Sequence, residues 1–466
     1  MWFWAILMSL HILTRPYTPG SAPPDEGWTD FGAAPNVGTV FYVSSSDGSD
    51  SNDGLSTVTP KETLAAAMAL LTEDQDDWIL MKRGDVFPDE GSLTWDTSGP
   101  AGVHGSNGYQ RLGAYGTGAR PRLLETTIGL NPGFASSNQI ANVAFSDVFL
   151  DADARLTAGT SEASSIGVNV VASSFGGGSF SHRYILFENM RFRGHSLGIS
   201  VNYLAGGTSA SDFKIRRCAV RDLFAVDGAS EPDVHGFFLN MAGPLEFEDC
   251  FGYRIQDASG PGTFSGQDHF VYDQGNGVAT GEEARSYVGA WTISCPDTVM
   301  QRSGGVQRRC FSALSFNTPG IYGHAASGTP VSGGCVADMS DSLWIDPAGS
   351  GITLSQTVGN LSSGTVDNCM GVRTAATSHN WGIFCRGTGE NSNTGTNGVT
   401  FSNNWLSGVI SPTSGTGIAG NTYTANDESN GAVSWTIADI IGDIEAEHSV
   451  SIGTDWDDVA EYVWLF

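Results

Sequence analysis

Basic residues are scarce: 22 Lys and Arg stand against 50 Asp and Glu in 466 residues, a formal net charge of −28. A chain of that sign repels phosphate backbones and anionic headgroups, which excludes a general nucleic-acid or membrane-surface binder unless its bases are segregated. Long hydrophobic runs are also missing. The one apolar stretch, Trp2 to Leu13, is too short to cross a bilayer, so no membrane span is expected. Cysteines number only seven, and no two have C-x-x-C spacing, which leaves zinc, thioredoxin-type and disulfide-scaffold readings without support. No Walker or dinucleotide fingerprint occurs, so no nucleotide or other cofactor is implied.

Glycine, in contrast, is abundant. Its 61 residues, with 40% apolar and 10% aromatic residues, describe a globular, turn-rich chain with ample length for a core. Five of the cysteines close the same short phrase: IRRC at Cys218, FEDC at Cys250, QRRC at Cys310, SGGC at Cys335 and VDNC at Cys369. The phrase recurs as FENM at Met190 and FSNN at Asn404. An alternating strand precedes each marked residue, a second short strand follows it, and a third comes later, as in GHSLGISV, DVHGFFLN and QDHFVYD. Self-similarity at such a period means stacked units that bury their inner faces against one another. Three short strands per coil predict an all-β parallel β-helix. The marked side chains are then expected inside one turn, as reduced core spacers or, between neighbouring rungs, as a disulfide.

Near the N-terminus, YVSSSDGSDSNDG is followed by PKETL, KRGD and AYGTGARP. This string resembles the cap and first coils of right-handed parallel β-helix proteins of the pectate-lyase-like superfamily, which include lyases, hydrolases, epimerases and viral spikes. The resemblance implies that a helix from about Pro60 to Leu71 covers the open end of the sheet. Thr59 as N-cap, Pro60 at N1 and Glu62 at N3 predict its start. The expected organisation is an apolar leader and connector over 1–38, a capped β-helix over 39–425, and a capping or oligomerisation tail over 426–466. The leader reads as an anchor helix on a capsid or tail partner through residues 1–25, as a cleaved secretory signal, or as the product of a mis-assigned start.

Asp47, Asp50, Asn52 and Asp53 invite a calcium loop, but their spacing fails the EF-hand template, and turn-forming Asx residues explain them. The bases cluster. Eight lie between His182 and Arg254, whereas 387–466 has none and carries 11 acids. Arg193, Arg221, Arg254 and Arg373 follow the marked position by three or four residues, which predicts either a ladder for an anionic polysaccharide or ion pairs with acids such as Asp222.

Aligning the third strands brings Asp233, His235, Asp268, His269 and Asp273 within one or two rungs. Paired carboxylates Asp233 and Asp268 would suit a glycosidase. A lyase would need a base and a cation for the enolate, with Arg254 the nearest by repeat position; turn formers and solvated rung ends are the plainer reading. Two function classes follow. One is a virion-attached spike or fibre contacting cell-surface polysaccharide, trimeric by analogy with viral β-helices. The other is a secreted lyase or glycoside hydrolase for an anionic glycan. Both place the protein outside the cell or on a virion surface.

Overall fold

The computed structural model describes residues 29–72, 75–91, 93–95, 109–125, 128–131, 141–152, 165–172, 181–203, 209–224, 233–240, 245–256, 268–273, 285–301, 305–315, 320–322, 335–345, 352–354, 361–372, 381–385, 399–406, 409–412, 422–424, 427–428, 441–442, 445, 451–453 and 455–465. The leader, with its anchor reading, and Arg373 lie outside them. The chain divides into two compact units, residues 16–232 and 233–466.

Each unit is built from rungs of three short parallel strands. In the first, Ser181–Glu188, Arg191–Arg193 and Leu197–Tyr203 make one rung. Ser181–Glu188 pairs in parallel with Ala141–Ser146 on one side and Ser209–Arg216 on the other. In the second unit, Gly305–Arg308, Phe311–Ala313 and Gly320–Tyr322 repeat the plan.

A one-residue corner separates the first two strands of each rung. Asp147, Asn189 and Arg217 in the first unit have φ between 50° and 61°, as do Asp249, Arg309, Asp341, Asn368 and Asn403 in the second. Asn and Asp tolerate this left-handed region better than other side-chain-bearing residues, and Gly enters it freely. Gly289 (φ 71°) takes the corner in the rung over Arg285–Ile293. The residue after each corner turns inward, and pairing of the following strands sets these residues in columns. Val148, Met190 and Cys218 form one; Cys250, Ala290, Cys310, Ser342, Cys369 and Asn404 form the other.

Two expectations are thereby refined. The 60-residue gap between Cys250 and Cys310 holds a whole rung, whose column residue is Ala290. Cys335 is not in the column: it opens the strand Cys335–Ser340, and Ser342, after the Asp341 corner, holds the place. Asn404 locks two rungs by donating from Nδ2 to Val366 O (2.9 Å) and accepting Cys369 N–H at Oδ1 (3.0 Å).

Cys218, Cys250, Cys295, Cys310 and Cys369 are free and buried. Burial pushes the Cys310 thiol up to about 12 and raises those of Cys295 and Cys369 as well. Because burial keeps the reagent from the sulfur, all five should label slowly with a maleimide in the folded protein and promptly in denaturant. Fast labelling of Cys310 or Cys369 without denaturant would contradict the inward column.

Aromatic rings fill the first unit. Trp95 meets Phe145 at 5.3 Å, Phe145 stacks on Phe187 at 5.3 Å, and Phe187 meets Phe213 at 5.7 Å. The same unit holds a buried polar cluster of Glu125, Ser165 and His195. His195 Nδ1 lies 2.9 Å from Ser165 Oγ, and its Nε2 lies 3.7 Å from Glu125 Oε2; among the described residues neither Glu125 oxygen has a hydrogen-bond partner. Burial, with Asp89 and Asp151 nearby, holds the Glu125 carboxyl well above its usual range. The folded state therefore keeps a proton that the unfolded chain releases. Glu125's favourable contribution is fully present below its ordinary titration range and is lost as pH rises through the folded value. Glu125→Gln should flatten that part of the stability–pH curve and stabilise the protein at neutral pH, as read by urea midpoints across pH.

The helix expected near Pro60 is shorter, Leu64–Met68, and starts later. Thr63 is its N-cap, accepting Ala66 N–H at 3.2 Å, and the Glu90 carboxylate receives Leu64 N–H (2.9 Å) and Ala65 N–H (2.8 Å). The expected start fails because Asp50 holds Glu62 N–H and Thr63 N–H at 3.0 and 2.9 Å, bending the chain through Thr63 before helix begins. Asp53 accepts Leu55 N–H and Thr59 Oγ1–H. Asp50 and Asp53 thus hold the turn together through backbone and hydroxyl hydrogen bonds.

Within the tail, Trp456–Leu465 forms a helix. Its apolar stripe, Val459, Ala460 and Val463, is buried. The helix is placed against Tyr253 and Arg254: the Tyr253 hydroxyl donates to Asp457 Oδ1 at 2.6 Å, and Arg254 pairs with Glu461 at 3.8 Å.

Candidate functional site

The third strands of the second unit bring two histidines and a carboxylate into successive rungs. His235–Asn240 pairs in parallel with His269–Asp273, with His235 opposite His269. His269–Asp273 in turn pairs with Val299–Gln301, Val271 opposite Val299. Asp297, two residues before Val299, therefore stands at the same level as His269. Its Oδ2 lies 2.5 Å from His269 Nδ1, and its Oδ1 receives Phe270 N–H at 3.2 Å.

The two imidazoles are stacked, 5.6 Å between centroids and 1° from parallel. The Tyr272 ring lies 4.9 Å from His269 and 5.1 Å from His235, and Phe238 lies 5.4 Å from His235. These side chains are fixed because their neighbours point the other way. Phe237 and Phe270 pack edge to face in the core with Phe247, and a Cβ on Gly252 would fall 2.4 Å from the Phe270 ring.

His269 is 1% exposed and Asp297 0%. Burial pushes the Asp297 carboxyl above its ordinary range, opposed by the His269 ring and the Phe270 amide. An imidazole that donates Nδ1–H to the carboxylate and carries no second proton presents Nε2 as a lone pair. Among the described residues Nε2 of His269 is buried and has no hydrogen-bond partner. A buried basic nitrogen oriented by a carboxylate through its other nitrogen is the arrangement of a general base. Among the described residues no group of three or more His, Cys, Asp or Glu side chains is arranged to hold a metal ion.

The other residues singled out by sequence are distributed differently. Asp268 Oδ1 accepts Val234 N–H at 2.8 Å, tying one rung to the next, while Asp233 is half-buried just before it. Asp273 is fully buried and accepts the Tyr287 hydroxyl at 2.7 Å. In the first unit Arg193 and Arg221 do occupy adjacent rungs. Arg193 forms a two-pronged pair with Asp151 (3.0 and 2.7 Å), which also pairs with Arg122; Arg221 is 3.2 Å from Asp222. Arg254 lies over the Tyr253 ring at 4.3 Å. Asp297 is missing from the residues that the sequence singles out because its rung has Ala290 instead of a marked cysteine. Its one signal is position, at the start of a third strand, where His235 and His269 also stand.

Among solved structures, a rhamnogalacturonan lyase superposes with a TM-score of 0.50 at 12% identity, over 92% of this chain and 99% of that one. The fold is a right-handed parallel β-helix. A pectate lyase (TM-score 0.46, 15% identity, 83% of this chain and 80% of that one) and a lacto-N-biosidase from Eubacterium ramulus (0.40, 12%, 83% and 68%) are also similar to the chain. No protein-family model and no curated protein sequence matches it. On this β-helix the stacked histidines open the third strand of consecutive coils.

Proposed function

We propose that this β-helix protein is a polysaccharide lyase that cleaves an anionic, uronate-containing glycan, with His269 as the base. The observation that carries the reading is the Nε2 of His269, buried, oriented through Asp297 and without a partner among the described residues. Lysis by β-elimination needs one base to take the proton from the carbon beside the uronate carboxylate. The C–H bond breaks, a carbon–carbon double bond forms, and the glycosidic C–O bond on the next carbon breaks as the leaving oxygen gains a proton. Hydrolysis by a carboxylate pair is less well supported. Asp268, Asp273 and Asp297 each direct a carboxylate oxygen to a protein donor. Tyr272 and His235 flank His269 and position its ring.

The virion-attached reading draws on residues 1–25, outside the described residues, and no described feature favours it over chemistry at this site. A polymeric substrate also fits an extracellular location. The test is incubation with a panel of uronate polysaccharides, following the near-ultraviolet absorbance of unsaturated ends. Unsaturated products are expected. New reducing ends without unsaturation would indicate a hydrolase, and no new ends across the panel would leave a binding protein.

A further inference from the structure

We infer that Tyr253, fully buried in the folded chain, and the partly exposed Arg254 make a second site for the carboxylates of an anionic glycan, and that the acidic helix Trp456–Leu465 occupies it as an internal competitor. The ligand class rests on the proposed function; the competition rests on geometry.

Arg254 stands at a left-handed corner (φ 51°) with its guanidinium 4.3 Å over the Tyr253 ring. A cation laid on an aromatic face, beside a phenol hydroxyl, presents a carboxylate with a charge and a hydrogen-bond donor at once. Carboxylates already sit there. Asp457 accepts the Tyr253 hydroxyl, and Glu461 pairs with Arg254. Their i, i+4 spacing puts both on one face of the helix.

The carboxylate contact at Arg254 is of the displaceable kind. Arg254 and Glu461 are 42% and 49% exposed and 3.8 Å apart, a geometry that binds weakly in water and yields to salt. What holds the helix down is the apolar stripe of Val459, Ala460 and Val463. The helix does not depend on the two competing carboxylates for its own start. Asp455 Oδ1 accepts Asp458 N–H at 2.9 Å, and Asp458 Oδ2 accepts Asp455 N–H at 3.3 Å, a reciprocal cap. With no Lys or Arg and 11 acids over 387–466, the segment is suited to contest an arginine with an external polyanion. Tethering gives it a high effective concentration there. An external ligand then binds with an affinity reduced by the fraction of molecules whose site is uncovered.

The test uses Asp457→Asn with Glu461→Gln, which removes both charges and leaves the apolar stripe and the Asp455–Asp458 cap. Binding of polygalacturonate is measured by calorimetry at low salt, all chains carrying His269→Ala so that no turnover intervenes. The double variant should bind about 3- to 10-fold more tightly than its parent. The gain should disappear when Arg254→Gln is added, and neutral dextran should show none. Equal affinity in parent and double variant, absence of binding in both, or a gain that survives Arg254→Gln would overturn the competitor. Cleavage is assayed separately with His269 intact. Activity without the affinity gain removes only the competitor, whereas the gain without activity on any uronate polymer removes only the lyase.

Discussion

His269→Ala should lower the rate of uronate polysaccharide cleavage by about 10²- to 10⁴-fold, the range that a positioned general base contributes. Asp297→Asn should lose activity of similar order, because an amide at 2.5 Å from Nδ1 presents a donor as well as an acceptor and no longer fixes the tautomer that leaves Nε2 free to accept. In both variants kcat should fall with KM little changed, since these groups act on the reacting bond rather than on the bound chain. The informative control is Asp268→Asn. Its Oδ1 can still accept Val234 N–H, so turnover should stay within a few-fold of the parent. Loss of activity at Asp268 with survival at His269 would return the catalytic role to the carboxylates expected from sequence. Steady-state assays on one polymer decide between them.

Phe187→Ala should be the most damaging single change in the first unit, costing about 3–5 kcal/mol. The Phe187 ring is fully buried and lies between Phe145 at 5.3 Å and Phe213 at 5.7 Å, so truncation opens a void in a column of rings fixed by three successive strands. The backbone can collapse little into it, because Phe187 stands opposite Phe145 and Ile215 in continuous ladders. Phe187→Leu should recover much of the loss. A urea or guanidinium midpoint shift of the expected size, with unchanged slope, reports on the folded core; a shift below about 1 kcal/mol would mean that the rings are not close-packed.

The features behind these expectations differ in how plainly the amino-acid sequence displays them. The two columns, Met190 and Cys218 in one unit and Cys250, Cys310, Cys369 and Asn404 in the other, are readable because each residue follows a left-handed corner, and the corner and the cramped interior together restrict which residues recur. The same logic fails at Cys335, where a cysteine after two glycines imitates the phrase while Asp341 and Ser342 supply the geometry. Strand alignment finds His235 and His269 but misses Asp297: its rung carries Gly289 and Ala290 at the corner, which leave no distinctive letters. Local capping letters at Thr59 and Glu62 misplace the helix start, because Asp50 and Glu90, partners 12 to 26 residues away from the amides they hold, override them. The partner of Arg254 is invisible for the same reason, since Glu461 is brought to it only by the folded chain.

The contact between Tyr253 and Asp457 joins residues 204 apart. Neighbouring coils pair through segments close in sequence, but this contact has to wait. At about 5–20 residues per second, roughly 10–40 s separate synthesis of the tyrosine from that of its partner. During that interval the nascent coils are present while the arginine beside Tyr253 has no Glu461 to meet. Maturation therefore has a timed second stage, in which a finished scaffold is closed over by a segment made long after it, and chains interrupted in translation differ from complete ones at one defined patch of surface.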